Sequence, residues 1–142
     1  MSGQATWRDD GRCLVCGPEN EHGLHLRFMP APQGASAEGV VPDHLQGFAQ
    51  RSHGGIVCAI LDEAMYYAVA MQGMPGVATG EISVRYRRPL PTGEPFRVDA
   101  QCLRVTRRFA KTEATLRCGG EIVAQASGTF LPVPSDMEIK GD

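Results

Sequence analysis

From residue 56 to residue 71 the chain reads IVCAILDEAMYYAVAM, and its only charged side chains there are Asp62 and Glu63. The stretch contains no Gly or Pro and is rich in good helix formers, so it predicts a helix. A helix apolar around most of its circumference has to be covered by other elements. Those elements are legible downstream as period-two alternation. Over residues 77–88, Ile82, Val84 and Tyr86 share one face, while Glu81, Ser83, Arg85 and Arg87 share the other, which predicts a strand. Residues 89–95 (PLPTGEP) have turn chemistry. Residues 96–106 open with Phe96, Val98, Ala100 and Cys102 on one face, and then Leu103 and Val105 continue on the other parity. A bulge or bend near Cys102 accounts for that slip and supplies the curvature a wrapping sheet needs. Two more strands follow at 110–118 and 122–131, separated by Gly119-Gly120, a two-residue hairpin signal.

Ahead of the helix the pattern is weaker. Leu24, Leu26 and Phe28 alternate with His25 and Arg27, predicting a half-buried strand over 24–28, and residues 37–41 offer a second short one. The Pro- and Gly-rich segment 30–37 reads as irregular, 42–52 as a loop, and the first dozen residues, polar apart from Trp7, as irregular too. The expected class is α+β: an antiparallel sheet of five or six strands around one long helix. A length of 142 residues suits one domain over 1–142, with 1–22 as an N-terminal cap and 132–142 as a flexible tail.

Composition narrows the function. Charged residues are 21% of the chain and the formal charge is −2, which argues against a nucleic-acid surface. No apolar run reaches the ~18 residues needed to span a bilayer, and the N-terminus lacks a signal peptide's apolar core. A cytoplasmic protein without membrane or nucleic-acid partners is therefore expected. Five cysteines, an odd and scattered set, suggest reduced thiols rather than a disulfide framework. Cys58, Cys102 and Cys118 sit in apolar or strand-like segments, where cysteine acts as a small hydrophobe.

The chemistry gathers around the helix. Ser52-His53-Gly54-Gly55 opens it, and two glycines there let a ligand approach free N–H groups at the positive end of the helix dipole. Asp62 lies two turns farther on, ~10 Å along the axis, so one helix cannot bring its own carboxylate to its own N-terminus. Two helices packed antiparallel across a dimer would do so. Asp62 and Glu63 are about 100° apart around the helix and cannot face the same groove. One is expected to be catalytic and the other structural or exposed, the bland alternative being that both form a solvated stripe.

The segment from His53 to Ala64 resembles the HGG-x6-D helix of the hotdog thioesterases, in the branch typified by phenylacetyl-CoA and 4-hydroxybenzoyl-CoA thioesterases. The strands over 79–89 and 120–130 look like that family's later strands. The resemblance implies hydrolysis of an acyl-CoA or similar acyl-pantetheine thioester at a subunit interface of a homodimer, with tetramers common. No metal or redox cofactor is implied, and coenzyme A enters as part of the substrate. Carried over by position, Asp62 would be general base or nucleophile, and the Gly55 N–H of the partner would hold the oxyanion. Gly54 would let the substrate approach, His53 would shape the turn or bond near the thioester, and Gln46 is the closest match to a substrate-touching amide. This chain has Gln50 where a Gly is common three residues before the His. Glu63 is a further substrate-side candidate, although a structural role suits it better. Arg85, Arg87 and Arg88 on one strand and Arg107, Arg108 and Lys111 around a turn could grip coenzyme A phosphates, or simply form solvated faces. A hotdog dehydratase or hydratase, or a non-catalytic acyl-CoA-binding hotdog, are the alternatives. The length of the acyl pocket would depend on which of Met65, Tyr66, Val69 and the partner's strand residues line it.

Cys13 and Cys16 form a Cys-x-x-Cys-Gly motif followed by His22 and His25. The spacing does not fit a zinc finger, and some hotdog relatives resemble the chain here too. A structural cap without metal is the expectation.

Overall fold

The structure, a computed structural model, describes residues 7–134. Its central helix α1 (Gly54–Ala70) begins two residues before the apolar run, because the glycines continue the helical turn that His53 caps. Six strands cover it: β1 (Met29–Ala31), β2 (Gly34–Gly39), β3 (Val77–Tyr86), β4 (Phe96–Val105), β5 (Ala110–Cys118) and β6 (Glu121–Pro132). They form one antiparallel sheet in the order β1-β2-β4-β5-β6-β3.

The sheet curves where its sequence breaks phase. Between Cys102 and Arg104 the β4–β5 register shifts and leaves Leu103 unpaired and exposed, as the change of parity predicts. A second irregularity, between Thr79 and Glu81, bends β3 against β6. Gly119 (φ 59°) and Gly120 (φ 80°) supply the two positive φ angles that a tight hairpin needs. Helix and sheet meet over a core of Val57, Ile60, Leu61, Met65, Leu116 and Phe130, all essentially inaccessible. The sheet's inner face carries many alanines, among them Ala35, Ala100, Ala114 and Ala124, which let the helix sit close.

The chain before the helix differs from the expectation. Residues 24–28 are not a strand: Leu24, Leu26 and Phe28 are buried and His25 and Arg27 exposed, yet His25 takes φ 53° and interrupts any ladder. The segment is held instead by the Leu24 and Leu26 N–H groups donating to the Leu14 and Val15 carbonyls. It packs on the helix, with Phe28 stacked on Tyr67 at 4.9 Å. The alternation recorded burial, not sheet pairing. Conversely, residues 30–37 are not irregular but contain the end of β1, a turn and most of β2. Pro30 is tolerated because β1 is an edge strand. Gly34 belongs to the ladder because any Cβ there would lie 1.8 Å from the Ala100 carbonyl oxygen. Pro132, expected in the tail, closes β6, and Val133 still donates to Gly76. The rest of the expected tail, from residue 135, and residues 1–6 of the cap lie outside the described residues.

An antiparallel sheet wrapped around one long central helix is the hotdog fold. Among the described residues no helix is long and apolar enough to cross a membrane.

Candidate active site

The helix N-terminus is built by the loop before it. A short 3-10 turn, Asp43–Leu45, leads to Gln46, which bridges to Ser52. The Gly47 and Arg51 N–H groups close the loop on the Arg51 and Phe48 carbonyls. Gln50 sits at φ 61°, a left-handed conformation that glycine takes without strain. That explains the departure at this position: the backbone shape is kept and a non-glycine residue bears it. Gln46 contributes by accepting the Gln50 N–H on its side-chain oxygen at 3.1 Å. Its amide therefore fastens the loop.

His53 caps α1 by accepting the Gly55 N–H on Nδ1 at 2.8 Å. The donor expected to hold an oxyanion is thus engaged inside its own chain. Gly54 is exposed, and its carbonyl accepts a 2.6 Å hydrogen bond from the Tyr86 hydroxyl at the end of β3.

Asp62 lies two turns on, half-buried, and its Oδ1 accepts the Thr79 hydroxyl at 2.6 Å. Burial raises its carboxyl above the ordinary value, and the Thr79 bond opposes that shift. No ion pair among the described residues involves it. Cys58, one turn earlier, has its thiol pushed up by burial and then by the Asp62 charge, which disfavours a nucleophilic thiolate. Along β3 the helix N-terminus meets Tyr86 while Asp62 meets Thr79, seven positions away. One chain's carboxylate and glycine turn therefore stand apart, as the helical rise requires.

Glu63 does not share this strip. It turns under the N-terminal segment, where Cys13 Sγ donates to its Oε2 at 3.3 Å. Burial first, and then the neighbouring Cys13 charge, push its carboxyl up to about 8. Glu63 thus meets the N-terminal segment, about 100° around the helix from Asp62. The cationic candidates divide between the two ends of the sheet. Near the end of β3, Arg87 donates to the Gln125 side chain at 2.8 Å, Arg88 pairs with Glu121 at 2.9 Å, and Arg85 is exposed. At the β4–β5 turn Arg107 and Arg108 are exposed, and Lys111 donates to Thr129 and lies 5.6 Å from the Phe109 ring centre. A surface depression of about 550 Å³ is lined by Gln50, Arg51, Thr92 and Glu94 among others, and not by Asp62.

Thr79 and Tyr86 were not singled out from sequence. Both contacts span the β3–helix register, which period-two alternation does not encode.

A curved antiparallel sheet around a helix that presents an oriented carboxylate, with no ion-pair partner among the described residues, defines a hotdog protein with a candidate acid-base site. The chain belongs to the thioesterase superfamily, whose family model matches residues 50–125, more than half of its length. That membership supports thioester hydrolysis as the general chemistry. No curated protein sequence matches it. Among solved structures it is similar to a thioesterase superfamily protein at 26% identity and TM-score 0.78, over 85% of this chain and 60% of that one. It thus spans less than two thirds of that protein. A variant of the phenylacetic acid degradation protein PaaI from Thermus thermophilus is 26% identical, with TM-score 0.68, over 76% of this chain and 93% of that one. The E. coli PaaI protein shares the fold at 18% identity and TM-score 0.72, over 79% and 82% of the two chains.

Proposed function

We propose that this protein hydrolyses an acyl-coenzyme A, or a related acyl-pantetheine thioester, to the free acid and thiol in a homodimer. The observation that carries this reading is Asp62: a half-buried carboxylate without a cationic partner among the described residues, oriented by Thr79. Charged groups so placed in an otherwise apolar helix are candidates for chemistry rather than for solubility. Asp62 takes a proton from water as the water oxygen bonds to the thioester carbonyl carbon. The carbonyl oxygen becomes an oxyanion and takes the Gly55 N–H of the facing protomer, displacing His53 Nδ1 from it. Collapse breaks the carbon–sulfur bond, and the departing sulfur recovers the proton from Asp62. Arg107, Arg108 and Lys111, or Arg85, Arg87 and Arg88, provide bidentate or point-charge contacts for the coenzyme A phosphates.

Release of free thiol from a panel of acyl-CoAs tests the reading. Asp62→Asn is expected to lower turnover by about 10²–10⁴-fold, the usual worth of a general base, with circular dichroism unchanged. A folded Asp62→Asn protein with wild-type turnover on every thioester it cleaves would overturn the assignment.

A further inference from the structure

On a face of α1 about 100° around from Asp62, Cys13, Cys16 and Glu63 bring two sulfurs and a carboxylate oxygen within 4.8 Å of one another. We propose that they bind one thiophilic divalent cation, zinc foremost, which clamps the N-terminal segment onto the central helix. Cys13 and Glu63 are 50 positions apart in the chain and converge at 3.3 Å.

The turn carrying the cysteines is already shaped for a thiolate. The Val15 and Cys16 N–H groups point at Cys13 Sγ at 3.4 and 3.5 Å, and the Gly17 N–H closes the turn on the Cys13 carbonyl at 2.9 Å. N–H groups aimed at a sulfur disperse its negative charge and fix its direction. Gly17 is required there, since a Cβ would lie 2.3 Å from the Cys13 nitrogen and 2.5 Å from the Gly11 oxygen. The Tyr67 hydroxyl donates to Cys16 Sγ at 3.3 Å, an outer contact of the kind that orients metal ligands. The ion pairs among the described residues lie elsewhere, between Arg88 and Glu121 and between Arg97 and its acidic neighbours. Three acidic groups thus meet with no side-chain cation among them.

The donor set selects the ion. Two thiolates disfavour magnesium and calcium, which take oxygen ligands. Two sulfurs and one carboxylate suit tetrahedral zinc, with water in the fourth position. His22 and His25, the other ligand candidates in the sequence, do not complete it: His25 bonds the Asn20 carbonyl and His22 packs edge-on against His44. The expectation of a metal-free cap assumed that histidines would have to converge with the cysteines; the converging group is Glu63.

The full-length protein, stripped with chelator under reducing conditions, is titrated with zinc and with cobalt alone. The expected result is one ion per chain, sulfur-to-cobalt charge-transfer absorption, and a thermal midpoint that rises on loading. Glu63→Gln should weaken binding at least about tenfold, and Cys16→Ser should remove most of the charge-transfer band, while Cys102→Ser changes neither. Should Cys13 or Cys16 variants misfold, the Glu63→Gln protein, checked by circular dichroism, decides. Absence of stoichiometric binding, binding untouched by Glu63→Gln, or recovery of the two cysteines as a disulfide in metal-free protein purified anaerobically would overturn the proposal. Since zinc and cobalt binding are read without any thioester present, loss of thioesterase activity alone leaves this result separable.

Discussion

Asp62 owes its direction to a single hydroxyl, the 2.6 Å donation from Thr79. A hydrogen bond to a charged group contributes about 1.5–3 kcal/mol, so Thr79→Val should lower kcat roughly 10- to 100-fold if that bond holds the base in line. Thr79→Ser keeps the hydroxyl and should recover most of the loss, an outcome that a packing role for the threonine methyl would not produce. Equal turnover for Thr79→Val and wild type would remove the positioning role. Asp62 itself stands out in sequence because charge is rare in an apolar helix, and so does its separation from Gly55, because helical rise is fixed. Neither Thr79 nor the Cys13–Glu63 contact is legible there. Each depends on which turn of the helix faces which residue of an element 17 or 50 positions away.

At the scale of elements, the helix and β3 to β6 follow from hydrophobic period, β5 and β6 burying alternate residues along most of their length, while β3 buries only Val77 and leaves Ile82 and Val84 half-buried. Even the bulge at Leu103 is written in the change of parity. The first two strands escape that logic. β1 has three residues and contains Pro30, β2 opens with a glycine required by close approach to Ala100, and the cleanest alternation upstream belongs to an irregular segment outside the sheet. The loop before α1 offers a test of how the chain tolerates its own departure from glycine. Gln50 is held at φ 61°, and a side chain in that region costs about 1–2 kcal/mol. Gln50→Gly keeps the N–H that Gln46 accepts and should raise stability by about 1 kcal/mol, part of the relief being lost to the greater freedom of the unfolded chain. Urea denaturation measures it; a lower midpoint in the variant would mean that the Gln50 side chain makes contacts worth more than the strain.

For the whole molecule, the decisive property is that the parts of the proposed site are apart within one chain. Gly54 reaches β3 at Tyr86 and Asp62 reaches it at Thr79, and β3 is an edge strand whose one neighbour in the sheet is β6. A two-fold pairing that sets the helices antiparallel would bring Asp62 of one protomer to the helix N-terminus of the other and repeat the arrangement at the second site. Complementation between defective chains tests this. In Gly55→Val the new side chain would meet His53 Nδ1, already 3.0 Å from an ideal Cβ, and so disturb the turn. Asp62→Ala leaves that turn intact. Each variant alone should be nearly inactive. After mixing and subunit exchange, activity should return to about a quarter of wild type, the statistical share of sites that combine two intact halves in a two-fold dimer. No recovery from a mixture shown by native mass spectrometry to contain heterodimers would place both groups of each site in one chain, and a wild-type monomer fully active at assay concentration would do the same.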